Sequence, residues 1–232
     1  MIKKPMTKKI QSLIAIVILL GAFGFLAYYY WPNNESGSVQ EENSLFEFKV
    51  VDQNLADWEK RKYQERFDKV VPILKENPDQ LDGWLELGMI KKHLGDYQGA
   101  EAAWLKAGEY RPKNSVSFNN LADLYINFTK EYDKVEPVIR KAIENSMGEQ
   151  KNAMFYRNFF YFYLDNLKDP KKAEEILLEG IKNNPKSDLL AVLANFYQSQ
   201  GRIDEAIDYY RQHLKIYPDD ETVRQEIQKL TR

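Results

Sequence analysis

Apolar residues follow three rhythms along this chain. From residue 10 to residue 31, IQSLIAIVILLGAFGFLAYYYW, no charged side chain interrupts the run. At about 1.5 Å of helical rise per residue such a run spans about 30 Å, the thickness of bilayer hydrocarbon. Residues 32–44, PNNESGSVQEENS, hold almost nothing to bury and read as a flexible tether. LFEFKVVD (45–52) alternates apolar and polar in strand fashion and reads as an extended arm. From residue 53 to residue 230 the apolar positions recur every three or four residues, the spacing of amphipathic helices. Trp58, Tyr63, Phe67, Val70, Val71 and Leu74 make the first such stripe, and Val223, Ile227 and Leu230 make the last. Pro72 and Pro137 each follow an aspartate closely, which predicts a helix start at each.

Charge orients the first rhythm. Lys3, Lys4, Lys8 and Lys9 precede the apolar run, and Tyr28, Tyr29, Tyr30 and Trp31 close it. Lysines on one side and an aromatic belt on the other predict a single pass with the N-terminus inside. Ala22-Phe23-Gly24 has the small-x-small form of a cleavage site, but Phe25, Leu26 and Ala27 carry the run past it. The expected layout is a basic cytoplasmic segment (1–9), a transmembrane signal-anchor helix (10–31), a linker and extended arm (32–52) and a folded domain (53–230). That domain lies outside the cytoplasmic membrane.

The whole chain has 33 basic and 35 acidic side chains. Without the four leading lysines the count is 29 against 35, so the remainder carries a net charge near −6. That balance speaks against a nucleic-acid surface, which needs a basic patch. The chain has no cysteine, which excludes disulfides, thiolate chemistry and cysteine metal sites.

One stretch organises the folded part: WLELGMIKKHLGDYQGAEAAWLKAGEYRP, from Trp84 to Pro112. Gly88 and Ala100 are small where two helices cross, Trp84, Leu87 and Trp104 fill the seam, and Pro112 stops the second helix. Gly95-Asp96-Tyr97 makes the turn. The stretch resembles the tetratricopeptide (TPR) repeat, a helix–turn–helix of about 34 residues. The resemblance implies an all-α fold, a right-handed superhelix of stacked helix–turn–helix repeats, here preceded by one transmembrane helix. On it the domain divides into a degenerate N-terminal repeat or capping pair (53–78), repeats at about 81–114, 115–148, 154–186 and 187–220, and a capping helix (221–230). In the second repeat Phe118, Leu121, Ala122 and Tyr125 fit, but Ala142 falls one place late. In the third, Ala173, Leu177 and Pro185 set the frame. In the fourth, Leu193, Ala194, Tyr197, Gly201, Ala206, Tyr210 and Pro218 fit throughout.

In the TPR family the first helix of each repeat lines a concave groove. Carried onto this chain, the groove positions include Leu85 and Met89, then Asn119, Asn120 and Asp123, then Phe155, Asn158, Phe159 and Phe162, then Asn195. Side-chain amides there suit the backbone of an extended peptide. Some family members grip a C-terminal carboxylate with lysine, arginine and asparagine. Of that clamp only Asn120 is present, so carboxylate docking is rejected. The helix MFYRNFFYFYLDN (154–166) carries aromatics on more than one face. Tyr156, Phe160 and Tyr163 suit the inter-helix core, whereas Phe155, Phe159 and Phe162 form a second stripe, either core or an open apolar anchor.

Catalysis has no foothold. His93 and His213 are far apart in sequence, each near a predicted helix end, and read as solvated. No metalloprotease, nucleophile-elbow or phosphate-loop motif is present. The expectation is a non-enzymatic module without a cofactor, membrane-anchored and extracytoplasmic. It binds a protein or peptide partner in its groove, in the manner of an assembly or chaperone-type factor. The alternative is a structural scaffold of an envelope complex that self-associates.

Overall fold

Three aspartates begin helices with their own side chains. Asp96 accepts from the Gly99 N–H at 3.1 Å, Asp169 from Lys172 at 2.9 Å and Asp220 from Val223 at 3.1 Å. Each satisfies a donor that the first helical turn leaves free. Pro170 follows Asp169 at the first helical position, where its missing N–H costs nothing. The structure, a computed structural model, describes residues 44–146 and 152–232. It divides into two units, residues 1–47 and residues 48–232. Of the first, the described part is residues 44–47, where the Glu47 N–H meets the Ser44 carbonyl at 3.3 Å. The expected anchor at 10–31 lies outside the described residues, and among these no helix is long and apolar enough to cross a membrane.

In the second unit the described residues form α1 (Asp57–Glu76), α2 (Leu81–His93), α3 (Tyr97–Tyr110), α4 (Val116–Asp123) and α5 (Val135–Asn145). α6 (Asn152–Tyr161), α7 (Pro170–Asn183), α8 (Leu189–Ser199), α9 (Ile203–Ile216) and α10 (Glu221–Leu230) follow. α2 pairs with α3, α4 with α5, α6 with α7 and α8 with α9, and the second helix of each hairpin packs on the first helix of the next. α1 lies against α2 and α10 against α9, closing the two ends.

The segment expected as an arm joins no strand among the described residues, while the expectation for residues 53–78 is corrected. Residues 48–52 take no regular secondary structure, and the Val51 and Asp52 N–H groups both donate to the Leu94 carbonyl, at 2.8 and 2.9 Å. Phe48 meets Phe67 edge-on at 5.4 Å, so the segment is an arm over the first hairpin; with no neighbouring strand among the described residues it has no ladder to join. Residues 53–78 are not a helix pair. α1 continues through Pro72, because its buried stripe of Tyr63, Phe67, Val70, Val71 and Leu74 spans both sides of the proline. Packing against α2 holds a helix that a lost backbone bond would otherwise break.

The first hairpin seals as its residues predict. Trp84, Leu87, Ala100 and Ala107 have no exposed surface. A Cβ on Gly88 would lie 2.3 Å from the indole nitrogen of Trp104, so only hydrogen fits at that crossing. Each buried indole N–H finds a carbonyl, Trp84 on Pro78 at 2.6 Å and Trp104 on Leu85 at 3.2 Å.

The middle hairpins are built differently. α4 runs on as a π-helical turn, Leu124–Thr129, and α6 as another, Phe162–Asn166. The sequence spacing agrees: Leu87 and Ala107 are 20 residues apart, as are Leu193 and His213, but Leu121 and Ala142, and Phe159 and Gly180, are 21 apart. One inserted residue widens one turn. The closing bonds show the same step. Asp96 N–H donates to Lys91 five residues back and Arg202 to Tyr197, whereas Asp169 reaches six back to Tyr163, each at 2.9 Å.

A repeated clasp ties hairpin to hairpin. Tyr125 donates to Glu101 at 2.7 Å, Tyr163 to Glu136 at 2.6 Å and Tyr197 to Glu174 at 2.8 Å. Each glutamate sits on the second helix of the preceding hairpin, and each also holds a cation: Lys134, Arg140 and Arg202 respectively. Burial first, and the glutamate bond second, push the Tyr163 and Tyr197 hydroxyls well above the ordinary phenol range.

Candidate functional site

The two π-turns face one another across the joint between the second and third hairpins. Between them lies a cavity of about 620 Å³. Asn119, Asn120 and Asp123 line it from one side, with Ile126 and Asn127 from the first π-turn. Asn158 and Tyr161 line the other, with Phe162, Asp165 and Asn166 from the second π-turn; Ala122 and Ile139 make the floor. A helical insertion turns the residues that follow it about a quarter-turn or more around the axis. That rotation is what brings Asn127, Asp165 and Asn166 to the cavity.

The polar groups are held loosely enough to exchange partners. Asn158 donates to Asn119 across the cavity at 3.5 Å, a long bond, and Asn166 donates to the Tyr132 hydroxyl at 3.3 Å. Asp123 is tied more firmly, to Lys92 at 2.9 Å and Asn127 at 2.8 Å. The Lys92 ammonium also stands 4.9 Å from the ring of Phe128. Five amides that each donate and accept, with one half-exposed tyrosine, can pair with a peptide backbone without reading its side chains. Among the described residues no group of three or more His, Cys, Asp or Glu is arranged to hold a metal ion.

Of the residues expected in a groove, Asn119, Asn120, Asp123 and Asn158 come together here. Leu85 and Met89 sit apart on the first hairpin. The Leu85 carbonyl is occupied by Trp104, and the Met89 sulfur lies 3.9 Å from an Arg66 nitrogen. Asn195 is exposed on α8, apart from this cavity, and accepts from Tyr210 at 2.7 Å and donates to Ala191 at 2.9 Å. The aromatic stripe is corrected outright. Phe155, Phe159 and Phe162 are 5%, 0% and 1% exposed, so they form no open anchor. Phe159 fills the slot of Leu87 and Leu193, its ring tilted against Tyr163 at 5.0 Å, while Phe162 lines the cavity. Tyr161 and Asn166 are polar lining residues that the sequence did not reveal; the 21-residue step from Phe159 to Gly180 was the available signal. His213 is corrected too: it is 4% exposed, not solvated.

Residues 187–220 match the family model for the tetratricopeptide repeat. The structure of Pseudomonas aeruginosa PilF aligns with a TM-score of 0.53 over 78% of this chain and 78% of that one, at 14% identity. The fold is that of a TPR protein. MamA aligns with a TM-score of 0.50 over 72% of this chain and 99% of MamA, at 18% identity. No curated protein matches the chain in sequence. These likenesses concern the TPR architecture, and the asparagine-lined cavity is described from this chain's own residues.

Proposed function

We propose that this TPR domain is a non-catalytic protein-interaction module whose working surface is the cavity between its second and third repeats. The observation that carries the reading is the convergence of Asn119, Asn120, Asn127, Asn158 and Asn166 on one cavity of about 620 Å³. An extended partner segment would meet amides on both sides, and half-exposed Tyr161 would give it an apolar contact. The lysine-flanked apolar run at residues 10–31 supports a second element of the reading. The module is tethered to the cytoplasmic membrane by that run, with its repeats outside.

A photo-crosslinking residue placed at Asn120 or Asn158, in cells, tests the groove. Both positions should capture the same partner, and the same residue at exposed Leu178 on α7 should not. Equal capture from all three would move the binding surface elsewhere. Protease added to intact spheroplasts tests the tether: the repeats should be degraded, and survival until lysis would reverse the orientation.

A further inference from the structure

Charge is uneven around the asparagine-lined cavity. Among the described residues two carboxylates line it, Asp123 and Asp165, and no lysine or arginine does. Asp123 is neutralised by Lys92 at 2.9 Å and accepts from Asn127 at 2.8 Å. Asp165 is exposed on the second π-turn, and among the described residues no hydrogen bond or ion pair engages its carboxylate. The lysines that follow the two π-turns do not balance it. Lys130 donates to the Ile126 carbonyl at 3.0 Å, and Lys168 pairs with no carboxylate among the described residues. The cavity therefore presents neutral amides and one uncompensated negative charge.

The fold makes no use of that charge. Asp165 caps no helix; the cap of α7 is Asp169. The matching place in the second repeat, six residues beyond Leu121 as Asp165 is six beyond Phe159, holds neutral Asn127. The chain's own segments are poor occupants. Residues 32–44 contain Glu35, Glu41 and Glu42 and no basic residue, so Asp165 repels them. The basic residues 1–9 lie across the membrane in the proposed topology. The charge calls for a separate, cationic partner.

We propose that the partner segment held in this cavity carries a lysine or arginine that pairs with Asp165. The inference rests on the cavity being the working surface and adds the sequence preference that amides alone do not supply. Amides pair with any peptide backbone, whereas a carboxylate favours segments with a cation and disfavours acidic ones. Asn158 and Asp165 are seven residues apart on α6 and its π-turn, about 10 Å along the axis, which an extended segment covers in about three residues. The cation therefore falls within that distance of the residue held at Asn158.

Random dodecapeptides displayed on phage serve as probes, selected on the full-length protein with a photo-crosslinking residue at Asn158. Peptides that crosslink there should carry lysine or arginine within about three residues of the crosslinked position. On the otherwise unmodified chain, replacing that cation with norleucine or citrulline should weaken binding about fivefold, the upper range for an exposed ion pair. Asp165→Asn should cause the same loss, and the two changes together should cause no more than either alone. Asp165→Asn should also flatten the decline of binding with added salt, a response that a merely structural role would not produce. Asp165→Lys should turn the selection toward acidic peptides. Because Asp165 is exposed, both variants should unfold at the wild-type temperature. Crosslinked peptides without a cation, or equal binding to Asp165→Asn and wild type, overturn the proposal and leave the cavity as the working surface. Selection of no peptide that crosslinks from Asn158 overturns the cavity reading and this proposal with it.

Discussion

The outer hairpins, α2–α3 and α8–α9, and the inner hairpins, α4–α5 and α6–α7, differ by one residue each, and much follows from it. The outer pair turns over glycines in the left-handed region, Gly95 at φ 78° and Gly201 at φ 73°. The inner pair has a π-turn and then a lysine in that same region, Lys130 at φ 59° and Lys168 at φ 55°. The outer hairpins keep aliphatic Leu87 and Leu193 at the seam, where the third repeat uses Phe159. Regular repeats stack; the irregular ones frame the asparagine-lined cavity. Widened turns and left-handed lysines cost stability, and such costs concentrate where a surface has work to do.

The largest expected effect tests whether the inner aromatics are core. Phe159 is fully buried, so Phe159→Ala should destabilise the domain by about 3–5 kcal/mol, seen as a lower denaturant midpoint. A change within about 0.5 kcal/mol, the range of ordinary surface substitutions, would return the residue to the surface and undo the comparison.

Next in size is the tight crossing of the outer first repeat. The slot of Gly88 holds Ala122, Phe160 and Ala194 in the other three, so side chains are tolerated there elsewhere. In the first repeat the Trp104 indole occupies that space, 2.3 Å from where an added methyl would sit. Gly88→Ala should cost about 1–3 kcal/mol despite alanine's better helix propensity. A stabilised variant would show that Trp104 has room to retreat.

The outer repeats were legible because their glycines, alanines and tryptophans keep the family's spacing. The inner ones were legible only in part. Ala173 and Pro185, counted backward through an inserted residue, place the first helix of the third repeat one residue out of register. That slip assigned Phe155 and Phe159 to the groove and hid Tyr161. Asn119, Asn120 and Asp123 precede the insertion in their own hairpin, so the family's spacing keeps them on one face, where they line the cavity. A buried His213 was beyond reach, since helix-end position alone says nothing of the alanine-sized slot it enters. The tyrosine–glutamate clasps also lay hidden, because each joins residues 23 to 27 apart across two hairpins.

The clasps span both kinds of repeat and give a smaller effect. Tyr163→Phe and Tyr197→Phe should each cost about 0.5–1.5 kcal/mol, because the glutamate keeps its arginine. Both hydroxyls titrate higher folded than unfolded. Their stabilisation is therefore fully present below the ordinary tyrosine value of about 10 and fades as the pH rises above it. Wild type should lose more stability than the double phenylalanine variant in alkaline melts; parallel losses would mean the clasps are not protonation-linked.

The smallest effect has the opposite sign and bears most directly on the comparison. Lys130 and Lys168 hold left-handed backbone conformations that glycine adopts freely in the outer repeats. For a residue with a Cβ that region costs about 1–2 kcal/mol, partly offset by glycine's greater freedom when unfolded. Lys130→Gly and Lys168→Gly should each stabilise the domain by about 0.5–1 kcal/mol. The reverse change, Gly201→Lys, should destabilise it by a similar amount, and since a Cβ there meets nothing within 4 Å the loss would be backbone strain alone. If the two lysine variants gain nothing while Gly201→Lys loses, the π-turns themselves make the left-handed residue cheap. The insertion, not the lysine, would then be what sets the inner repeats apart.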